Sequence, residues 1–187
     1  MKQDSLSLET QELLARLEKE SHSQADKERL TAAIDALQFI YAMGQSQSFL
    51  EYRQSRADRG PPLVVAAFDT RAEADAWLMT QSPVPDRASV LIAGAYFTVM
   101  DLPELRQRRL VPSPVLQFYL DEMREHAGAP VFRFSTHAEA EAWLQHEDEP
   151  PRQVVIQIGD KPYLAAYHHQ VQVRTLYPLF EAGEAPA

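Results

Sequence analysis

The chain reads as an α+β protein: a helical N-terminal segment, then two tandem β-α-β-β repeats joined by a helix, with mostly antiparallel sheet in a pseudo-two-fold arrangement. Three observations predict it. Apolar residues recur at helical spacing up to the break at Arg59-Gly60-Pro61-Pro62. The phrase Phe68-Asp69-Thr70-Arg71-Ala72-Glu73-Ala74-Asp75-Ala76-Trp77-Leu78 returns as Phe134-Ser135-Thr136-His137-Ala138-Glu139-Ala140-Glu141-Ala142-Trp143-Leu144, with the same spacing throughout. Short apolar runs with the composition of strands flank both copies.

Taken in order, Ser7 is placed to cap a helix reaching Ser21, with Leu13, Leu14 and Leu17 on one side and Arg16, Glu18, Lys19 and Glu20 on the other. Ser23, with Asp26 in the first turn, caps a second helix. Its apolar stripe is Leu30, Ala33, Ile34, Leu37, Ile40 and Tyr41, and Gly44 supplies the left-handed residue that ends it. A third helix over 47–55 carries Phe49, Leu50 and Tyr52.

Each repeat then opens on an apolar strand, Leu63 to Ala67 or Val131 to Arg133. Thr70 with Glu73, and Thr136 with Glu139, have the capping-box spacing: the hydroxyl satisfies an orphan backbone N–H, and the glutamate reaches back to the cap. Ala74, Trp77 and Leu78, or Ala140, Trp143 and Leu144, then form an i, i+3, i+4 stripe suited to lie on a sheet. Strands at Val90 to Ala93 and Val154 to Ile158 follow. Turns at Gly94 and Gly159-Asp160 lead into Tyr96 to Met100 and Tyr163 to Tyr167. Ser113 and Pro114 open the linking helix, which runs to about His126 and is ended by Gly128. The alternation of Val171, Val173 and Tyr177 suits one further strand. The divisions are therefore 1–60, 61–112, 113–128, 129–180 and a disordered tail, 181–187.

Composition narrows the function classes. The formal charge of −9 is spread along the chain, which argues against nucleic acid and for a neutral or basic protein partner. No stretch of about 18 uninterrupted apolar residues is present and the N-terminus has no apolar signal segment, so neither a membrane span nor secretion is expected. The absence of cysteine removes disulfides, thiolate metal sites and a thiol nucleophile, and fits a reducing cytoplasm. With six scattered glycines there is no Gly-x-Gly-x-x-Gly, Walker or Gly-x-Ser-x-Gly pattern, so no cofactor is expected and no catalytic residue is assigned.

Five groups of side chains remain as candidates for chemistry or contact. Trp77 and Trp143 occupy the same repeat position and read as core anchors. His168-His169 follows Tyr163 and Tyr167; adjacent side chains of a strand point to opposite faces, so the pair cannot readily share a metal, and a polar strand end near the surface is expected. Glu122 and His126, with Asp121 and Glu125, match no metal motif and read as a solvated acidic face. Arg106, Arg108 and Arg109 read as an insertion of the first copy, opposite Gln170 to Arg174, that is a surface loop balanced by Asp101 and Glu104 or grips phosphate or an acidic partner. The Glu147-Asp148-Glu149 run reads as a solvated loop attractive to a basic partner.

The function these features favour is a non-enzymatic protein-interaction module: an adaptor, inhibitor or immunity-type protein. Its contact residues would be Glu147, Asp148, Glu149, Glu122, Glu125, Tyr163, Tyr167 and His168. Two alternatives stay open. One is a small-molecule binder or hydrolase using a groove between the copies, with Tyr163, Tyr167, His168 and Arg174 as its polar set. It is motivated by Thr98, Met100 and Asp101 standing where the second copy has Ala165, Tyr167 and His168. The other is a structural subunit that assembles, as a homo-oligomer or otherwise, through the N-terminal helices.

Overall fold

A computed structural model describes residues 2–57, 60–126, 128–147 and 150–180, with side chains from Leu8 onward. The tail expected at 181–187, and Asp148 and Glu149, lie outside the described residues. The chain divides into two compact units, Met1–Gln54 and Ser55–Ala187. No helix among the described residues is long and apolar enough to cross a membrane.

The first unit is built on a helical hairpin of α1 (Lys2–Glu20) and α2 (Gln24–Ala42), and α3 (Ser46–Ala57) starts within it. The Ser23 hydroxyl accepts the Asp26 N–H and starts α2 as expected. At the other end Gly44 adopts φ 65°, its N–H donates to Tyr41 O and that of Gln45 to Ile40 O, the paired bonds of a Schellman turn. The expected start of α1 needs correction: Ser7 lies inside the helix, not at its cap, because α1 begins at Lys2. Leu30, Ala33, Ile34, Leu37 and Ile40 form the half-covered side of α2, and Thr31 Oγ1 donates to Glu18 Oε1 at 2.7 Å across the hairpin. None of the described side chains of this unit is buried.

The second unit carries the duplication. β1 (Ala66–Phe68), α4 (Arg71–Thr80), β2 (Ser89–Ile92), β3 (Ala95–Leu102) and β4 (Gln107–Pro112) form the first copy. The linking helix α5 (Val115–His126) leads to the second copy: β5 (Phe132–Phe134), α6 (His137–His146), β6 (Gln153–Ile158), β7 (Lys161–His168) and β8 (Val173–Pro178). Each four-stranded sheet is ordered as the chain runs. Its first pair is parallel, joined by the crossover helix, and its other two pairs are antiparallel.

A fourth strand thus completes each repeat, and it corrects the reading of the arginine cluster as an insertion. Val99 pairs with Leu110 as Ala165 pairs with Leu176, so the two copies keep one offset in residue number from Phe68/Phe134 to Pro112/Pro178. Arg106 and Gln172 are both left-handed, at φ 51° and 55°, in matching turns. In this register Thr98 corresponds to Leu164, Met100 to Ala166 and Asp101 to Tyr167, one residue away from the pairing read from the sequence. The same offset carries Phe49-Leu50-Glu51-Tyr52 of α3 onto Val115-Leu116-Gln117-Phe118 of α5.

Capping fixes both crossover helices, with one difference. Thr70 and Glu73 form the full reciprocal box. In the second copy Thr136 accepts the Glu139 N–H, but the Glu139 carboxylate accepts from Ser135 N, one residue earlier. The stripe then docks as expected: Ala74 and Leu78, with Trp77 half-buried, pack on Val90, Ile92, Val99 and Leu110. Ala140, Leu144 and Trp143 pack likewise on Ile156, Ile158 and Ala165. Each indole lies 5.4 Å from the first-strand phenylalanine of its own copy, Phe68 or Phe134. This equivalence is what a structural anchor requires.

The opposite faces of the two sheets are covered unequally. On the second sheet, Leu164, Ala166 and Tyr177 are sealed by Tyr119, Leu120 and Met123 of α5. On the first, Leu91 and Tyr96 cluster with Val64, and Val115, Leu116, Val171 of the β7–β8 turn and Val173 at the start of β8 pack against them. The contact between copies joins unlike positions: Tyr96 is 2% exposed while its counterpart Pro162 is exposed, and Tyr177 is 5% exposed while its counterpart Val111 is 44% exposed.

Candidate functional site

The most concentrated polar chemistry lies where the two copies meet. His168 ends β7 on the face opposite α6, and the contact with the first copy leaves it 4% exposed. Its Nδ1 is 3.4 Å from the Tyr96 hydroxyl and its Nε2 is 3.3 Å from the Tyr177 hydroxyl. Tyr96 in turn donates to Pro62 O at 3.1 Å, and Tyr177 to Gly94 O at 3.0 Å. Two hydroxyls and a neutral imidazole hold three hydrogens for these four contacts. Both carbonyls are well served, so one imidazole contact carries no proton, which agrees with the length of the pair.

Burial sets the electrostatics here. It pulls the His168 imidazole down to about 4, with His169 adding to the shift, and no carboxylate among the described residues offsets the desolvation of a cation. The Tyr177 phenol is pushed up to about 12 by burial, against a hydrogen bond with Thr175 that lowers it. Burial, reinforced by neighbouring phenols, holds Tyr96 well above the ordinary phenol range; Tyr119 is raised by burial, then by Tyr177 and Glu122. The cluster is therefore neutral at pH 7. Pro61, Pro62, Leu63 and Val64 run beside Tyr167, His168, His169 and Gln170, leaving a cavity of about 10 Å³, the room of a single water. His168 is thus neither a contact residue at the surface nor a polar strand end there: it is enclosed.

The other candidates are dispersed. Tyr163 lies on the opposite face of the second sheet, half-buried against the α6 core, with the His137 and Phe180 rings at 5.7 and 5.5 Å. The half-buried ring of Tyr167 carries the Arg174 guanidinium 5.4 Å from its centroid. Glu122 and Glu125 are exposed on α5, and His126 Nδ1 lies 3.0 Å from the backbone oxygen of Glu122, not from its carboxylate. Glu147 caps the end of α6 and is half-buried. Its neighbours Asp148 and Glu149 lie outside the described residues, and no group of three metal-ligating side chains forms among those described.

The arginines divide by role. Arg174 donates to the carbonyls of Leu144 and Glu147 at 2.9 Å and also to that of Gln145, closing the C-terminal turn of α6. Arg108 does the same for α4 through Leu78, Met79 and Gln81 at 3.1 to 3.4 Å. A guanidinium aimed at the last carbonyls of a helix satisfies orphan acceptors and opposes the negative end of the dipole. Arg174→Met is expected to cost about 1–2 kcal/mol in urea unfolding, and Arg174→Lys is expected to recover only part of it, since an ammonium cannot fork across three carbonyls. Full recovery by lysine would contradict the geometry. Arg106 and Arg109 are exposed, and neither meets a carboxylate among the described residues.

No protein-family model matches this chain, and no curated protein or solved structure is significantly similar to it. The sequence reading missed Tyr96 and Tyr177 as partners of His168. The available signal was the position of Tyr177 in the Val171, Val173, Tyr177 alternation, which identifies a covered face but not what covers it.

Proposed function

We propose that this chain is a non-enzymatic protein-interaction module of the adaptor, inhibitor or immunity type, acting in the cytoplasm. The observation that carries the reading is the first unit. It leaves Phe39 61% and Met43 58% exposed, leaves Leu8, Leu13, Leu17 and Tyr41 exposed as well, and has no buried side chain among its described residues. Phe39 and Met43, and likewise Leu13 and Leu17, stand one helical turn apart, and paired large apolar side chains left in water support a surface that gains stability by association. The exposed carboxylates of Glu122 and Glu125 on α5 supply a second, acidic surface suited to a basic partner.

Against a catalytic groove, the polar side chains proposed for it are consumed internally: His168 by two tyrosines, Arg174 by the end of α6, and Tyr163 by the α6 core. The same exposed helices also support a second reading, a subunit that assembles with its own copies. Light scattering separates the two. A monomer over a wide concentration range favours a foreign partner, and a concentration-dependent oligomer favours assembly. In either case Phe39→Glu with Met43→Glu is expected to abolish the association. A double variant that associates like the parent chain, whether with itself or with a protein captured in stoichiometric amount, would remove the helical unit from the mechanism.

A further inference from the structure

Where the two copies meet, the chain encloses a side chain that gains a charge in mild acid. Besides the tyrosines, the buried polar side chains among the described residues are Ser55 and His168, and of these two only His168 titrates. Its ring bridges the copies: Tyr96 of the first copy stands at Nδ1 and Tyr177 of its own copy at Nε2, and Tyr177 also donates to Gly94 O of the first. Around this triad the contact is apolar. Val171 and Val173 pack against the cluster of Val64, Leu91 and Tyr96, and the strap from Pro61 to Val64 lies beside Tyr167 to Gln170. The helix–sheet cores lie on the other faces of the sheets. Ala74, Trp77 and Leu78 in the first copy, and Ala140, Trp143 and Leu144 in the second, belong to clusters that share no residue with this contact. The contact can therefore open while both cores stay packed.

We propose that the contact between the copies is an acid-sensitive latch: a proton taken up by His168 parts the two copies and uncovers Val64, Leu91 and Tyr96, with both helix–sheet cores intact. The cause lies in what surrounds the ring. Tyr96 of β3 and Tyr177 of β8 face it, His169 adjoins it, and Tyr119 of α5 stands behind the phenols. Neither β2 nor the strap over 60–64 brings an ionisable side chain. At the margin are Tyr167, with the Arg174 guanidinium over its ring, and Arg152, which runs beside Gly60. No carboxylate belongs to this set, and the marginal charges share the sign of an imidazolium. A proton supplies the hydrogen that the four contacts lack, but it adds a cation to a site with no counter-charge and room for only a single water. Once the contact opens, the ring is hydrated and takes its proton near 6.5; enclosed, it resists until about 4. The open form thus binds the proton more tightly, and acid shifts the population toward it.

The chain contains no cysteine, so single introduced thiols report opening site by site. Val64 lies in the contact at 1% exposure, and Ala74 and Ala140 lie in the two cores at 0%. Full-length Val64→Cys, Ala74→Cys and Ala140→Cys are each labelled with a pyridyl disulfide, which reacts in acid and at neutral pH, and each rate is divided by that of free cysteine at the same pH. Between pH 7 and 4 the rate for Val64→Cys is expected to rise by about 100-fold, the factor set by 6.5 in the open form against about 4 in the closed one. The rates for Ala74→Cys and Ala140→Cys are expected to rise by less than about tenfold. Adding His168→Leu, which copies the matching Leu102 of the first repeat, is expected to flatten the rise for Val64→Cys, and His168→Gln is a second, polar replacement that should do the same. A rise confined to Val64→Cys and lost with either replacement supports the latch. A rise shared by all three thiols, no rise for Val64→Cys, or a rise that survives both replacements would overturn it.

Discussion

Lowering the pH from 7 to 4 is expected to remove on the order of 3 kcal/mol of stability through His168 alone, because burial lowers its pKa from 6.5 to about 4. The unfolded chain binds this proton near pH 6.5, whereas the folded chain resists it until about 4. The contribution is therefore complete above about pH 6.5, erodes as the pH falls through that window, and is gone at about 4. Tyr96 and Tyr177 face the ring and His169 adjoins it, while Tyr119 on α5 stands behind the two phenols; none of these supplies a negative charge below pH 7. Urea midpoints at pH 7, 5.5 and 4 for the parent and for His168→Gln isolate the effect, since acid loss from carboxylates is common to both chains. The parent should lose more between pH 7 and 4 than the variant. Parallel losses would mean that the ring is hydrated in solution.

The second large effect concerns the twin helices. Leu144→Ala and Leu78→Ala are each expected to cost about 3 kcal/mol, because both side chains are 2% exposed and sit in a close-packed layer between helix and sheet. The informative result is their agreement. Matched environments predict costs within about 1 kcal/mol of each other, within the spread found at fixed chemistry. By contrast Leu13→Ala, at a position 44% exposed on α1, is expected to cost well under about 1 kcal/mol. Equilibrium unfolding followed by tryptophan fluorescence reads all three, and a wide gap between Leu78 and Leu144 would show that the copies are not energetically equivalent.

What was legible in the sequence was local. Ser23, Thr70 and Thr136 cap their helices through hydrogen bonds that span three residues, so the residues themselves specify the geometry. The indole stripes dock as their spacing dictates. What failed was long-range. Arg108 and Arg109 look like a charged loop because an edge strand tolerates polar side chains and because the target of Arg108, the end of α4, is remote in sequence. The one-residue slip that set His168 against Asp101 matters more than its size suggests: in a strand it moves a side chain to the other face. In the correct register His168 shares its face with Leu164 and Ala166 and is enclosed by the other copy, a result of tertiary contact that no local pattern encodes.

Leu116 has a consequence for how the chain can be divided. This one residue of α5 packs against the cluster that holds Leu164 and Tyr177 of the second copy and against the cluster that holds Leu91 and Tyr96 of the first, so both cores share the same side chain. A fragment ending at Pro112 would lose the cover that Val115, Leu116, Val171 and Val173 give to Leu91 and Tyr96, and one beginning at Phe132 would lose Tyr119, Leu120 and Met123 from over Leu164 and Tyr177. The two halves are alike in design, yet neither is a spare part, because each leaves part of its core to the same linking helix.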